Sequence, residues 1–121
     1  MAEYLPIRTP GDALVATASA SITGGNLVAV SGNGTVATAG ATTVAWLGVA
    51  GFDAVSGDSV TVYAGGVQEV TASGAITAGA AVVAGANGTV VSSATPAAAT
   101  QVGVALTTAA DGAKVRVKFA R

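Results

Sequence analysis

Residues 22–36 read ITGGNLVAVSGNGTV, and residues 76–90 read ITAGAAVVAGANGTV. The match begins earlier, at Thr17-Ala18-Ser19 against Thr71-Ala72-Ser73, and at a shift of 54 residues 17–36 agree with 71–90 at 11 of 20 positions. A one-residue slip follows. At a shift of 55, Gly48-Val49-Ala50 falls on Gly103-Val104-Ala105, and Gly57, Val60 and Val62 fall on Gly112, Val115 and Val117. Abundant Ala and Val inflate such agreement, but composition does not explain the ordered series Ile-Thr, Asn-Gly-Thr-Val, Gly-Val-Ala. We read two copies of one supersecondary unit, about 17–64 and 71–119. Two copies are too few for a solenoid and suit a pseudo-twofold β domain.

Each copy is written in strands. Asn33-Gly34 and Asn87-Gly88 sit between β-branched segments, and Asn-Gly is the preferred pair for a two-residue hairpin turn whose central residues both need positive φ. In Val60, Val62 and in Val115, Val117, Phe119 the apolar residues recur every second position, which places them on one sheet face. Lys114, Arg116 and Lys118 then point the other way. Gly57-Asp58 and Asp111-Gly112 mark turns leading into these strands. The stretch nearest to a helix, Pro96-Ala-Ala-Ala-Thr100, is at most a single turn. The expected fold is all-β, a small sandwich or barrel of eight to ten short strands built from two duplicated β units.

The first dozen residues, MAEYLPIRTPGD, belong to neither copy. Their two prolines fix φ and remove backbone donors, so residues 1–12 read as an extended arm and 13–121 as a single β domain. A free arm would expose Tyr4, Leu5 and Ile7. Docking on a neighbouring surface, through Tyr4, Leu5, Pro6, Ile7 and Arg8, is the reading preferred to a frayed terminus.

Composition excludes much. With 121 residues the chain holds one ordinary core. Charged residues make up 9% of it and the net charge is -1, so no broad cationic surface is available for a phosphate backbone, and neither nucleic acid nor a membrane is expected as a partner. Cysteine and histidine are absent. That removes thiolate catalysis, disulfides, the commonest general base near neutral pH and the commonest transition-metal ligand. Asp53 and Asp58 lack the alternating acidic pattern of a dedicated Ca²⁺ loop. No phosphate-cradling glycine motif occurs, and no cofactor, metal or small-molecule substrate is expected. The uncharged spans are interrupted every few residues by Gly, Ser, Thr or Asn, so neither reads as a membrane helix. No export signal opens the chain, and synthesis in a cytoplasm is expected.

A core of Ala and Val buries little area per residue, so association with copies of itself or with a larger surface is expected to supply the rest. Lys114, Arg116, Lys118 and Arg121 are four of the five cations and crowd into the last eight residues. They read either as a contact with an acidic protein surface or as a solvated face that discourages edge pairing. Under the 55-residue shift, Trp46, Phe52 and Tyr63 correspond to Gln101, Thr107 and Lys118. The unit thus accepts polar groups at these positions, which makes the three aromatics candidate interface anchors, with core filler as the other reading for Trp46.

The runs Gly57-Asp58-Ser59-Val60, Ala75-Ile76-Thr77-Ala78-Gly79, Gly103-Val104-Ala105 and the closing strand Gly112 to Phe119 resemble the capsid cement or decoration proteins of tailed bacteriophages, from about Leu14 onward. That resemblance implies a small β protein, not an enzyme, whose partner is the major capsid protein. It implies binding to the outside of the mature head as homotrimers near local threefold positions, location on the capsid exterior of the virion after synthesis in the host cytoplasm, and an N-terminal arm that helps grip the shell. The rival is a spike, fibre or surface-adhesion module that recognises a host receptor or glycan through loops such as Gly51-Phe52-Asp53.

Overall fold

The computed structural model describes residues 13–120. The segment 1–12, with the arm residues Tyr4, Leu5, Pro6, Ile7 and Arg8, lies outside the described residues, as does Arg121. Ten strands occur among the described residues: β1 (Ala13–Ala18), β2 (Leu27–Gly32), β3 (Thr35–Thr38), β4 (Trp46–Ala50), β5 (Ser59–Tyr63), β6 (Val67–Thr71), β7 (Ala81–Ala84), β8 (Val90–Ser92), β9 (Gln101–Ala105) and β10 (Lys114–Phe119). A single 3-10 turn, Ala86–Gly88, interrupts the β7–β8 connection. The all-β expectation is met at the upper end of its strand range. At Pro96–Thr100 the chain makes one turn, with the Thr100 and Gln101 amides both donating to the Ala97 carbonyl.

The first five strands close into a barrel in the order β1-β3-β2-β4-β5, and the last five form a sheet in the order β6-β10-β9-β7-β8. Substituting β6–β10 for β1–β5 reproduces each antiparallel pairing, down to register: Val28 faces Gly48 and Val82 faces Gly103, while Val49 faces Tyr63 and Val104 faces Lys118. The parallel β1–β3 seam that closes the barrel has two register pairs, Thr17 with Thr35 and Ala18 with Val36. In the second sheet the same seam is reduced to one bridge, Ala72 with Val90.

The turn chemistry is met in part. Asn87 (φ 57°) and Gly88 (φ 75°) both adopt the left-handed conformation expected of the pair. At 33–34 only Gly34 does so (φ 74°). A register shift between Val30 and Gly32 supplies the bend there, so Asn33 is not forced into positive φ.

Alternation decides what is buried. In β10, Val115, Val117 and Phe119 are inside while Lys114, Arg116 and Lys118 are outside, and Val60 and Val62 of β5 are fully buried. One apolar cluster fills the first barrel, around Ala18, Val28, Val36, Val60 and Val62. The larger cluster joins Val70, Val82, Val102, Val115 and Phe119 to Leu27, Ala39, Trp46 and Val49 from the first five strands. The two halves therefore share a junction. Trp46 and Phe119 meet edge-to-face within it, ring centroids 5.7 Å apart and planes at 79°, a favoured aromatic geometry.

Glycine at two equivalent places lets neighbouring strands close up. A methyl group on Gly48 would run into the Tyr63 carbonyl, and one on Gly103 into the Lys118 carbonyl.

Candidate functional site

Strand β10 lies between β6 and β9, both of which pair with it. Its basic residues therefore do not guard a sheet edge, and that half of the sequence reading is corrected. Across the ladders Lys114 faces Thr71, Arg116 faces Glu69, and Lys118 faces both Val67 and Val104. Val67, Val104 and Leu106 are exposed alongside them. The Thr107 hydroxyl accepts from the Arg116 amide at 3.1 Å, tying the strand to the preceding loop. At the other end Lys114 leans toward the first half, its Nζ 3.5 Å from where a Cβ on Gly25 would sit. The result is a mixed face: three cations from alternate residues of one strand, set among three aliphatic side chains.

The three aromatic candidates separate. Trp46 is 2% exposed and packed on Phe119, so this chain alone buries it and it is no surface anchor. Its counterpart Gln101 is only partly buried, because Trp46 sits at the junction where the first five strands meet Phe119. Phe52 and Tyr63 are 49% and 46% exposed. The Tyr63 ring lies over Gly51, 2.8 Å from a hypothetical Cβ there, which brings it beside the loop that carries Phe52. Tyr63 and Lys118 hold corresponding positions in β5 and β10, so the outer face carries an aromatic in the first half and a cation in the second.

Two of the acidic residues, Asp53 and Asp111, tie loops together, whereas Glu69 lies within β6. Asp53 Oδ1 accepts from the Gly24 amide at 2.8 Å and Asp111 Oδ1 from the Gly74 amide at 2.7 Å, each holding two distant loops together. Among the described residues no three acidic side chains come together as a metal site would need. No helix among them is long and apolar enough to cross a membrane. Shallow grooves are lined by described residues on both halves. One of about 250 Å³ is lined by Ser21–Thr23, Asp53–Val55 and Asp58. Another, of about 500 Å³, is lined by Gly79–Ala81 and Ser92–Ala94, and nothing in it is ionisable. Such surfaces can cover another protein surface.

A small all-β chain whose described surface carries an apolar-basic face and open grooves has the build of a protein that covers other protein surfaces. The chain belongs to the phage cement protein family, whose model matches residues 9–119. Among solved structures it resembles the N base of the head fiber gp8.5 of bacteriophage phi29, with 25% identity, a TM-score of 0.73, and coverage of 90% of this chain and 93% of that one. No curated protein matches. Family membership implies a capsid-binding role and a place on the virion.

Proposed function

We propose that this protein is a non-enzymatic cement subunit that binds the outer surface of the mature head as homotrimers, through contacts with the major capsid protein, and stiffens the shell. The observation that carries the reading is the family match along residues 9–119. The mechanism is summed surface burial. Each contact is modest, several subunits are gripped at once, and preferential binding to the assembled lattice stabilises that lattice. The arm residues Tyr4, Leu5, Pro6, Ile7 and Arg8 are assigned to the grip, and the faces bearing Phe52, Tyr63, Lys114, Arg116 and Lys118 to contact with the shell or between subunits. Synthesis in the host cytoplasm goes with this role.

The fold on which this rests is read as a duplication. In support, the amide of Ser19 donates to Val36 as Ser73 does to Val90, Gly25 to Ala50 as Gly79 to Ala105, Gly57 to Ala18 as Gly112 to Ala72, and Gly51 to Thr61 as Leu106 to Arg116. A backbone amide likewise donates to the side chain of Asp53 in one half and of Thr108 in the other.

Heads assembled without the protein should release their genome at lower temperature or under milder osmotic shock, and adding purified protein should restore resistance. Equal resistance with and without it would remove the stabilising role. A second reading, a platform that carries a fibre, is favoured by the likeness to a head fiber base. It predicts that a fibre polypeptide co-purifies with decorated heads.

A further inference from the structure

The β7–β8 hairpin tip is docked on the first half of its own chain. The Gly88 amide donates to the Ala39 carbonyl and the Thr42 amide to the Ala84 carbonyl, both at 2.9 Å. The fit is close: a Cβ on Gly88 would lie 2.7 Å from Asn26 Cβ and 3.0 Å from both Leu27 O and Thr38 Cγ2. Ala84, Gly85 and Gly88 are buried as a result.

The receiving residues recur. Asn26, Leu27, Thr38 and Ala39 correspond, at a shift of 54, to Ala80, Ala81, Ser92 and Ser93. These four line the open groove of about 500 Å³. Their side chains are smaller at three of the four positions, so the groove is roomier than the one already filled.

The matching tip is exposed. Residues 31–34 of the β2–β3 hairpin are solvent-exposed, and a Cβ on Gly34 would meet nothing within 4 Å. Val30 is 50% exposed, whereas its counterpart Ala84 is 0% exposed because the junction covers it. Ala94 lines the empty groove and is exposed, as are Ala97, Ala98 and Ala99 a few residues further along the chain, so apolar surface is available to cover an exposed Val30.

One chain thus carries a filled groove with its tip and, at corresponding positions, an empty groove with a spare tip. We propose that a second copy of this chain seats its 31–35 hairpin tip in the groove of Gly79–Ala81 and Ser92–Ala94, continuing between chains the relation that joins the two halves within one. The contact is heterologous, head to tail, and repeats around a ring or along a filament. Closure at three copies, six half-units, rests on the trimer of the proposed function; the contact itself does not. Two features distinguish it from its template. Pro96 stands at the position of Thr42 and has no amide to donate, so the interchain contact is the more apolar of the two. The Gly34 carbonyl also accepts from the Thr17 amide at 3.1 Å, so the spare tip is held down on β1.

The natural chain has no cysteine, which makes directed cross-linking clean. Gly34→Cys and Ser92→Cys are prepared as separate proteins, mixed, oxidised and run on a non-reducing gel, both free and bound to empty shells. Cross-linked dimers should form in the mixture and at least tenfold less in either variant alone, and the double variant should give covalent species of more than two chains. Asn33→Cys, which keeps the turn glycine, replaces Gly34→Cys if that variant does not fold. Absence of the mixed cross-link in both free and shell-bound protein overturns the proposal, as does equal cross-linking within one variant alone. Ser92→Trp, filling an exposed groove position, should shift the isolated protein to smaller species by light scattering, and an unshifted oligomer counts against the contact. Shell binding is scored separately by co-sedimentation: a mixed cross-link without shell binding sinks the cement reading and leaves this contact standing.

Discussion

Substituting Gly103 by alanine tests the close strand approach on which the second sheet depends. The added methyl would collide with the Lys118 carbonyl oxygen and lie 2.9 Å from both the Lys118 carbonyl carbon and Val117 Cγ1. The first two are backbone atoms, so no rotamer change relieves the clash; β9 must move away from β10. Neighbouring strands sit about 4.8 Å apart, and a displacement on the order of 1 Å takes the ladder bonds near the Phe119–Gly103 and Lys118–Val104 pairs out of good geometry. One or two such bonds are worth about 1 kcal/mol each, and overpacking adds about 1–3 kcal/mol. The expected loss is therefore about 2–5 kcal/mol, read from urea or guanidinium unfolding with the slope held constant. Gly40→Ala is the control, since a Cβ there meets nothing within 4 Å and its φ is not in the left-handed range. It should be neutral or stabilise by about 0.4–1 kcal/mol through the unfolded state. A Gly103→Ala protein as stable as the Gly40→Ala protein would refute the close-approach argument.

Trp46→Ala should destabilise by about 3–5 kcal/mol through loss of its contact with Phe119 and the cavity left in the junction, and wild-type tryptophan emission should be blue-shifted until unfolding, since Trp46 is the single tryptophan. Asp111→Ala should lower the denaturation midpoint and Asp111→Asn should restore most of it, because an amide oxygen can still accept from the Gly74 amide; equal losses would show that charge, not the bond, matters. The pair Arg116→Glu and Lys118→Glu should leave stability within about 0.5 kcal/mol while weakening shell co-sedimentation and its salt dependence, and unchanged binding would remove the basic face from the contact. Deleting residues 1–10 should leave thermal unfolding unaltered and abolish shell occupancy, whereas full occupancy would reject the arm's assignment.

Local chemistry is written in order along a chain, and the features that depend only on it were legible. Val115, Val117 and Phe119 alternate with cations, so the sequence determined that a strand forms there and which side faces the core. Gly57 and Gly112 mark positive-φ turns at 93° and 80°, as their Asp neighbours suggested. What sequence could not state was how one half sits on the other. Trp46 looked dispensable because its counterpart is polar, yet it is buried, since the junction with Phe119 occurs once per chain. Strand β10 looked free to guard an edge, but its place between β6 and β9 is set by long-range pairing. The two Asn-Gly tips read alike from sequence. Only tertiary packing decided that Gly88 is enclosed and Gly34 open, because burial at a tip depends on which distant surface reaches it, and that surface is assembled from Asn26, Leu27, Thr38 and Ala39, far away in the chain.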